Sequence, residues 1–339
     1  MAAPTLVIGV GGTGVRVLLR VKERFLEAYD QLPDNVILFE LDTDNYREKK
    51  VNFNGVTLDC DDMLDPLHAE FFHVATEGSK QTLDVIFTKP GDEWKWVNKE
   101  RMNRTLTKPS DRTIHAGAGT VRPVGRAALF LDYDRVYHSI EQRLARTLTA
   151  RERVFGHIGD NNEVPEEQKA TVFVVASAAG GSGAGMTIDI LRMIEHMRNQ
   201  GALVRKAISV IVLLVGGGAF TNEKGERTES NTFALLRELD RLTAVPGRPL
   251  SRDVPPVMFA PEPVKRFSSS FAPADMIFLF DRPDRLDQTR RINPNITNAY
   301  LEQVVSPTLA DLIMAFADER IAHEIRTNVK DWDSKWHSK

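Results

Sequence analysis

Thr171-Val172-Phe173-Val174-Val175-Ala176 runs directly into Ser177-Ala178-Ala179-Gly180-Gly181-Ser182-Gly183-Ala184-Gly185. The first six residues are apolar or β-branched with no alternation, the pattern of a strand buried on both faces. Gly180 to Gly185 then holds four glycines in six residues. Behind them Met186, Ile190, Leu191, Ile194 and Met197 recur at helical spacing, and the methionines read as core filler rather than ligands. A phosphate group needs backbone N–H donors brought close, and such a strand, glycine turn and helix can supply them. Backbone N–H groups come close where no Cβ intervenes, and the helix N-terminus adds a favourable dipole.

The same unit stands at the start of the chain. Thr5-Leu6-Val7-Ile8-Gly9-Val10 is followed by Gly11-Gly12-Thr13-Gly14, then by Val15, Leu18, Leu19, Lys22, Phe25 and Leu26 at helical period. Further buried strands are read at Val36–Leu41, Ile208–Val215 and Met276–Phe280, and helices near Ala127–Leu148, Ser230–Leu242 and Asn298–Ile325. Strands alternating with helices imply an open, mostly parallel α/β sheet covered on both faces, with ligands at the carboxyl ends of its strands.

Gly9 to Gly14 satisfies G-x-G-x-x-G, and Asp42 lies 42 − 11 = 31 residues beyond Gly11. A dinucleotide fingerprint places its acidic residue ~20 residues on and has one such loop. The P-loop pattern fails, because Val15 and Arg16 follow Gly14, and Met186 and Thr187 follow Gly185, where Lys and Ser/Thr are required. A single glycine loop also serves as a plain tight turn. Two loops, with Gly117 and Gly119 in a third position, point to a triphosphate held by backbone amides, with Ser182 adding a hydroxyl donor.

With 42% hydrophobic and 27% charged residues, the chain of 339 residues is not disordered, collagenous or coiled-coil. A net charge of −3 gives no footprint for nucleic acid. The single cysteine, Cys60, makes no internal disulfide and fits a cytoplasmic location. His68 and His73 form no zinc motif by themselves. The start lacks the basic head and apolar run of a signal peptide, and Ala207–Val215 is far shorter than the ~20 residues of a membrane span. The basic stretch Lys89–Arg112, with Trp94 and Trp96, reads as a solvated insertion rather than a nucleic-acid surface.

Together these motifs resemble the tubulin/FtsZ superfamily. Ala179 to Gly185 looks like its glycine-rich signature, with Ser182 in place of the usual Thr, and Val7 to Gly14 looks like the first phosphate loop of FtsZ. Asp42-Thr43-Asp44 resembles the family's second-strand end. Gly117-Ala118-Gly119 with Gly125-Arg126-Ala127-Ala128 resembles the γ-phosphate-sensing loop. Asp275–Phe280 with Asp284-Arg285-Leu286, and Gln303-Val304-Val305 with Leu309–Ile313, resemble the last strand and the long central helix. The resemblance implies a Rossmann-like sheet that binds GTP or GDP, with Mg²⁺ held through the phosphates. Gly11, Gly12, Thr13 and Gly14 would hold the α- and β-phosphates. Ala118 and Gly119 would approach the γ-phosphate, and Gly180, Gly181, Ser182, Gly183, Ala184 and Gly185 would wrap the β/γ end. Asp44 lies toward Mg²⁺ and the γ-phosphate, or caps a loop. Glu223 and Arg227 stand where the family binds ribose, with Glu226 beside them. Asn231 contacts the nucleotide or caps a helix, and Asp284 stands near the base.

Arg16 replaces an FtsZ asparagine close to the nucleotide. It contacts a phosphate, replaces the base contact, or is solvated. The family's central helix leads to an acidic catalytic loop and a second domain. Here 26 residues follow Ile313 (339 − 313), too few for that domain. Asp318, Asp331 and Asp333 are the catalytic candidates, and a charged surface tail is the competing reading. The organisation expected is one GTP-binding domain over residues 1–325, with insertions near 46–112 and 243–272, and a charged tail over 326–339. The function expected is nucleotide-dependent self-assembly with slow GTP hydrolysis. The alternatives are a non-polymerising interaction module whose insertions bind a protein partner, and a Rossmann-type enzyme using NAD or an adenylate.

Overall fold

The buried runs form strands β1 (Thr5–Val10), β2 (Val36–Asp42), β6 (Ala170–Ser177), β7 (Ile208–Val215) and β8 (Met276–Phe280). The computed structural model describes residues 2–44, 50–53, 56–59, 70–74, 100, 117–158, 164–220, 225–243, 273–281, 300–318 and 320–328. Within the stretch left unassigned by sequence lie β3 (Lys50–Phe53) and β4 (Val56–Asp59), an antiparallel pair, and β5 (Phe71–His73). Among the described residues the main sheet has six parallel strands in the order β5-β2-β1-β6-β7-β8.

That order sets where a ligand crevice would form. From β1 the chain winds outward through β2 to β5; from β6 it winds the other way through β7 to β8. The reversal falls between β1 and β6, where open α/β sheets form their ligand crevice. Val10 is level with both Leu41 and Ala176, so the strands end together and their loops emerge side by side.

Alternation along each strand feeds two cores. On one face Val7, Leu38, Phe173 and Leu213 pack with α1 (Gly11–Tyr29) and, later in the chain, α7 (Ser306–Ala317). Phe316 of α7 meets Phe173 edge-on at 5.6 Å. Truncating such a buried ring costs about 3–5 kcal/mol. On the other face Ile8, Phe39, Val174 and Val212 pack with α2 (Arg122–Leu131), α3 (Tyr133–Phe155), α4 (Gly181–Asn199) and α6 (Gly225–Thr243). The short helix α5 (Ala202–Ala207) leads into β7.

Three helix expectations need correction. The helix read near Ala127–Leu148 is two helices broken at Asp132, whose backbone leaves helical geometry and whose carboxylate accepts from Arg135 at 3.0 Å. The helix read from Ser230 begins at Gly225. The helix read over Asn298–Ile325 is a π turn (Leu301–Val305), then α7, then a separate helix over 320–328. Asp318 makes that last break, because its carboxylate accepts from the Arg320 and Ile321 amides as an N-cap does. Leu26, placed on the apolar face of α1 by its period, is 41% exposed, while Phe25 is fully buried.

Candidate functional site

Gly11 leaves β1 with φ +75° and begins α1 at once. A side chain there would also meet the neighbouring loop: a Cβ on Gly11 would lie 3.0 Å from the Gly183 nitrogen and 3.2 Å from the Ser182 Cβ. The first turns of α1 and α4 therefore touch, on either side of the sheet's reversal point. Neither helix start has a side-chain cap or an acidic residue in its first turn. The amides of Gly11, Gly12 and Thr13, and those of Ser182 and Gly183, have no partner within their own helices. The Gly181 amide is taken by the Gly119 carbonyl at 2.7 Å.

The third loop is bonded to the start of α4 and to the end of β2. Gly117 and Gly119 have φ of +82° and +53°. Thr43 ties the arrangement together: its hydroxyl accepts from the Ala118 amide at 2.9 Å and shares a 2.7 Å hydrogen bond with the Ser182 hydroxyl. When Thr43 is the donor of that shared bond, the Ser182 proton is left for an anion. Asp42 accepts from the Thr43 amide at 2.6 Å and the Asp44 amide at 3.3 Å, so the strand end turns as an Asx-turn. A Cβ on Gly117 would lie 3.3 Å from the Asp44 Cβ, which puts Asp44 against the third loop.

Helices α2 and α6 brace these loops. The Asn231 amide donates to the Thr120 and Ala179 carbonyls, both at 2.9 Å. It lies within α6, so it is not that helix's cap; it staples the third loop to the loop after β6. Arg122 donates to the Ala184 carbonyl at 2.7 Å, and Arg126 grips Asp189 with two bonds at 2.9 and 3.1 Å. Burial pushes the Asp189 carboxyl up from its ordinary value, and the Arg126 charge offsets part of that push. Arg16 donates to the Gly12 carbonyl at 3.0 Å and lies 3.8 Å from Glu302 in the π turn, so it links the first loop to the C-terminal helix.

The expected site residues thus divide. Gly11, Gly12, Thr13, Asp44, Ala118, Gly119, Gly180, Gly181, Ser182, Gly183 and Ala184 come together at one edge of the sheet. Several glycines there serve packing: a Cβ on Gly14 would lie 2.6 Å from the Gly9 carbonyl carbon, one on Gly183 2.5 Å from the Ser177 oxygen, and one on Gly185 would collide with the Arg122 carbonyl. Gly180 has nothing within 4 Å of that position. Arg227 lies in the first turn of α6, but its side chain lies outside what the structure describes, as do Glu223, Asp284, Asp331 and Asp333 entirely. Asp318 stands at the opposite end of the sheet. It follows Ala317, whose carbonyl accepts from the Ala3 amide just before β1, and a six-residue strand separates that point from the glycine loops by roughly 20 Å. Thr43 is the residue that sequence reasoning missed. Its signal was a hydroxyl between two aspartates at a strand end, in a motif already noted.

A doubly wound sheet whose two glycine-led helix starts meet at its reversal point defines the class of protein. A family profile described as tubulin like matches residues 6–337, and the chain belongs to that family. No curated protein matches the chain. Among solved structures, CetZ from Methanosaeta thermophila strain DSM 6194 is 16% identical with a TM-score of 0.46, over 96% of this chain and 59% of that one. CetZ2 from Haloferax volcanii, as a GTPγS-bound protofilament, is 14% identical with a TM-score of 0.44, over 92% and 59%. CetZ1 from the same organism, as a GDP-bound monomer, is 12% identical with a TM-score of 0.39, over 89% and 57%. The chain spans about three fifths of the length of these structures. Among the described residues no helix is long and apolar enough to cross a membrane.

Proposed function

We propose that the chain binds GTP or GDP across the joined glycine loops and uses the bound nucleotide to control its own assembly. The observation that carries this reading is the contact between the uncapped starts of α1 and α4, with the third loop bonded to the start of α4 and to Thr43 at the end of β2. The donors gathered there are backbone amides and the Ser182 hydroxyl, which suit phosphate oxygens. Gly11, Gly12, Thr13, Ser182 and Gly183 would hold the phosphates, with Ala118 and Gly119 beside the terminal one.

Mg²⁺ would supply charge neutralisation between phosphates. Among the described residues no cluster of three acidic, histidine or cysteine side chains offers it a protein cage, so Asp44 would act beside the phosphates rather than as one of several ligands. Hydrolysis would need a second copy: Asp318 cannot reach the glycine loops of its own chain, and a neighbour stacked end to end would bring it there. This makes hydrolysis slow and dependent on assembly.

The test is to identify the nucleotide released from the purified, heat-denatured protein and to titrate GTP, ATP and NAD into nucleotide-free protein by calorimetry. Guanine nucleotide in the first, and at least tenfold preference for GTP in the second, are expected. Equal affinity for ATP or NAD would sink the reading in favour of a Rossmann-type enzyme. Pelleting with GTP separates the self-assembling form of the proposal from a monomeric interaction module, which gives no polymer.

A further inference from the structure

Glu40 is a carboxyl residue inside a strand that is otherwise apolar up to its end. Val36 and Leu38 face the core shared with α1, so alternation turns Glu40 to that same face. It is fully buried, and neither carboxyl oxygen has a hydrogen-bond partner. Its Oε2 occupies the space left by two glycines of the first loop: a Cβ on Gly9 would collide with it, and one on Gly14 would lie 3.0 Å away. The group thus lies directly under the first turn of α1. A buried carboxyl with no partner calls for an explanation, because each such group is costly.

The charges around it do not neutralise it. β1 carries no ionisable residue. Asp42 on its own strand has the same sign. Glu70, whose carbonyl accepts from the Glu40 amide, has its carboxylate engaged by Lys22 of α1 at 2.8 Å. Elsewhere on α1, Arg16 faces Glu302, Arg20 pairs with Glu23, and Arg24 pairs with Glu27 and Asp311. Burial, and then Asp42, raise the Glu40 carboxyl well above its ordinary 4.5. If ionised, it would place a negative charge beneath the same helix start that offers its dipole to an anion.

We propose that Glu40 is the positioning residue of the first glycine loop, which holds phosphate tightly only while the Glu40 carboxyl keeps its proton. This rests on the nucleotide reading given above. Nucleotide binding and proton binding at Glu40 are then linked, each favouring the other.

The test titrates GDP into the wild-type chain and Glu40→Gln by calorimetry from pH 6 to pH 9. Gln keeps the shape and cannot ionise. The two should bind within about twofold of each other at pH 6, and wild type should weaken by about tenfold relative to the variant by pH 9, one pKa unit of coupling being tenfold in affinity. Parallel profiles overturn the proposal, since a merely structural role lowers affinity equally at every pH. Should the variant fail to fold, wild type alone decides: binding heats taken from pH 6 to pH 9 in two buffers of different ionisation enthalpy must reveal proton uptake within that range, and its absence throughout overturns the proposal. Melting without nucleotide separates this idea from the nucleotide reading. The folded carboxyl is raised, so the stability it lends is complete below about 4.5 and is lost as pH rises toward the folded value. Wild type should therefore lose melting temperature relative to Glu40→Gln from pH 5 to pH 9. Absence of GDP binding by both chains at every pH removes the nucleotide reading, and the linkage with it.

Discussion

At the carboxyl ends of β1 and β6 the chain is finished with bare backbone, while at their opposite ends it is finished with side chains. The upper edge has two helix starts without caps, glycines in close contact, and one bridging hydroxyl from Thr43. At the lower edge Arg326 donates to the Thr171 hydroxyl at 2.5 Å and to the Glu166 carbonyl, the Thr5 hydroxyl donates to the Ala3 carbonyl, and Asp318 caps the final helix. These side-chain bonds at the lower edge close within the chain and contribute stability. At the upper edge the amides of Gly11, Gly12, Thr13, Ser182 and Gly183 have no partner within their own helices and are left for something else to satisfy. The difference separates the part of the sheet that holds the fold from the part available to a ligand.

That contrast is easiest to break at Gly180. Its φ of −78° suits any residue, and a side chain there meets open space. Gly180→Asp supplies the missing cap of α4, so the nucleotide-free protein should not lose stability and should gain a few tenths of a kcal/mol. The same carboxylate occupies the anion position, and GDP affinity should fall about a hundredfold, roughly 2.7 kcal/mol. Calorimetry and thermal melting on one preparation read both effects; unchanged affinity would remove α4 from the site. Gly183→Asp is the less informative variant, because its side chain strikes the Ser177 carbonyl and loss of binding would be confounded by loss of packing.

Arg326→Ala tests the lower edge. Removing a buried guanidinium that serves two acceptors should cost about 2 kcal/mol of stability by urea denaturation. GDP affinity should stay within about twofold, and a large change in binding would deny that the two edges are independent. Thr43→Val has the smallest expected effect and sharpens the comparison. It keeps volume but strands the Ala118 amide and frees Ser182, costing about 1 kcal/mol of stability. GDP affinity should fall about fivefold through displacement of the third loop, as read by calorimetry.

Much of the fold was legible because its strands are continuous apolar runs. Thr5–Val10, Ile208–Val215 and Met276–Phe280 stand where the pattern placed them, and glycines mark where the first two end. Breaks inside helices were not legible. Asp132 and Asp318 look like ordinary polar positions on a helical face until one sees which amides or arginine they serve. Within the candidate site, the glycine loops stand out by composition, whereas Thr43 has no role in the sequence reading and Asn231 has two alternatives. Their function is to join segments distant in sequence, and no local spacing reports that.

Local sequence pattern is enough to require parallel strands buried on both faces and glycine-led helices after two of them. Those properties follow from hydrophobic period and from the missing Cβ, which are local. Only the tertiary structure decided that β1 and β6 are neighbours, that their helix starts touch, and that Glu40 lies unpartnered beneath one of them. Strand order depends on how all the helices cover both faces at once, and the burial of a single carboxyl depends on what packs over it. Neither is a property of any one stretch of chain.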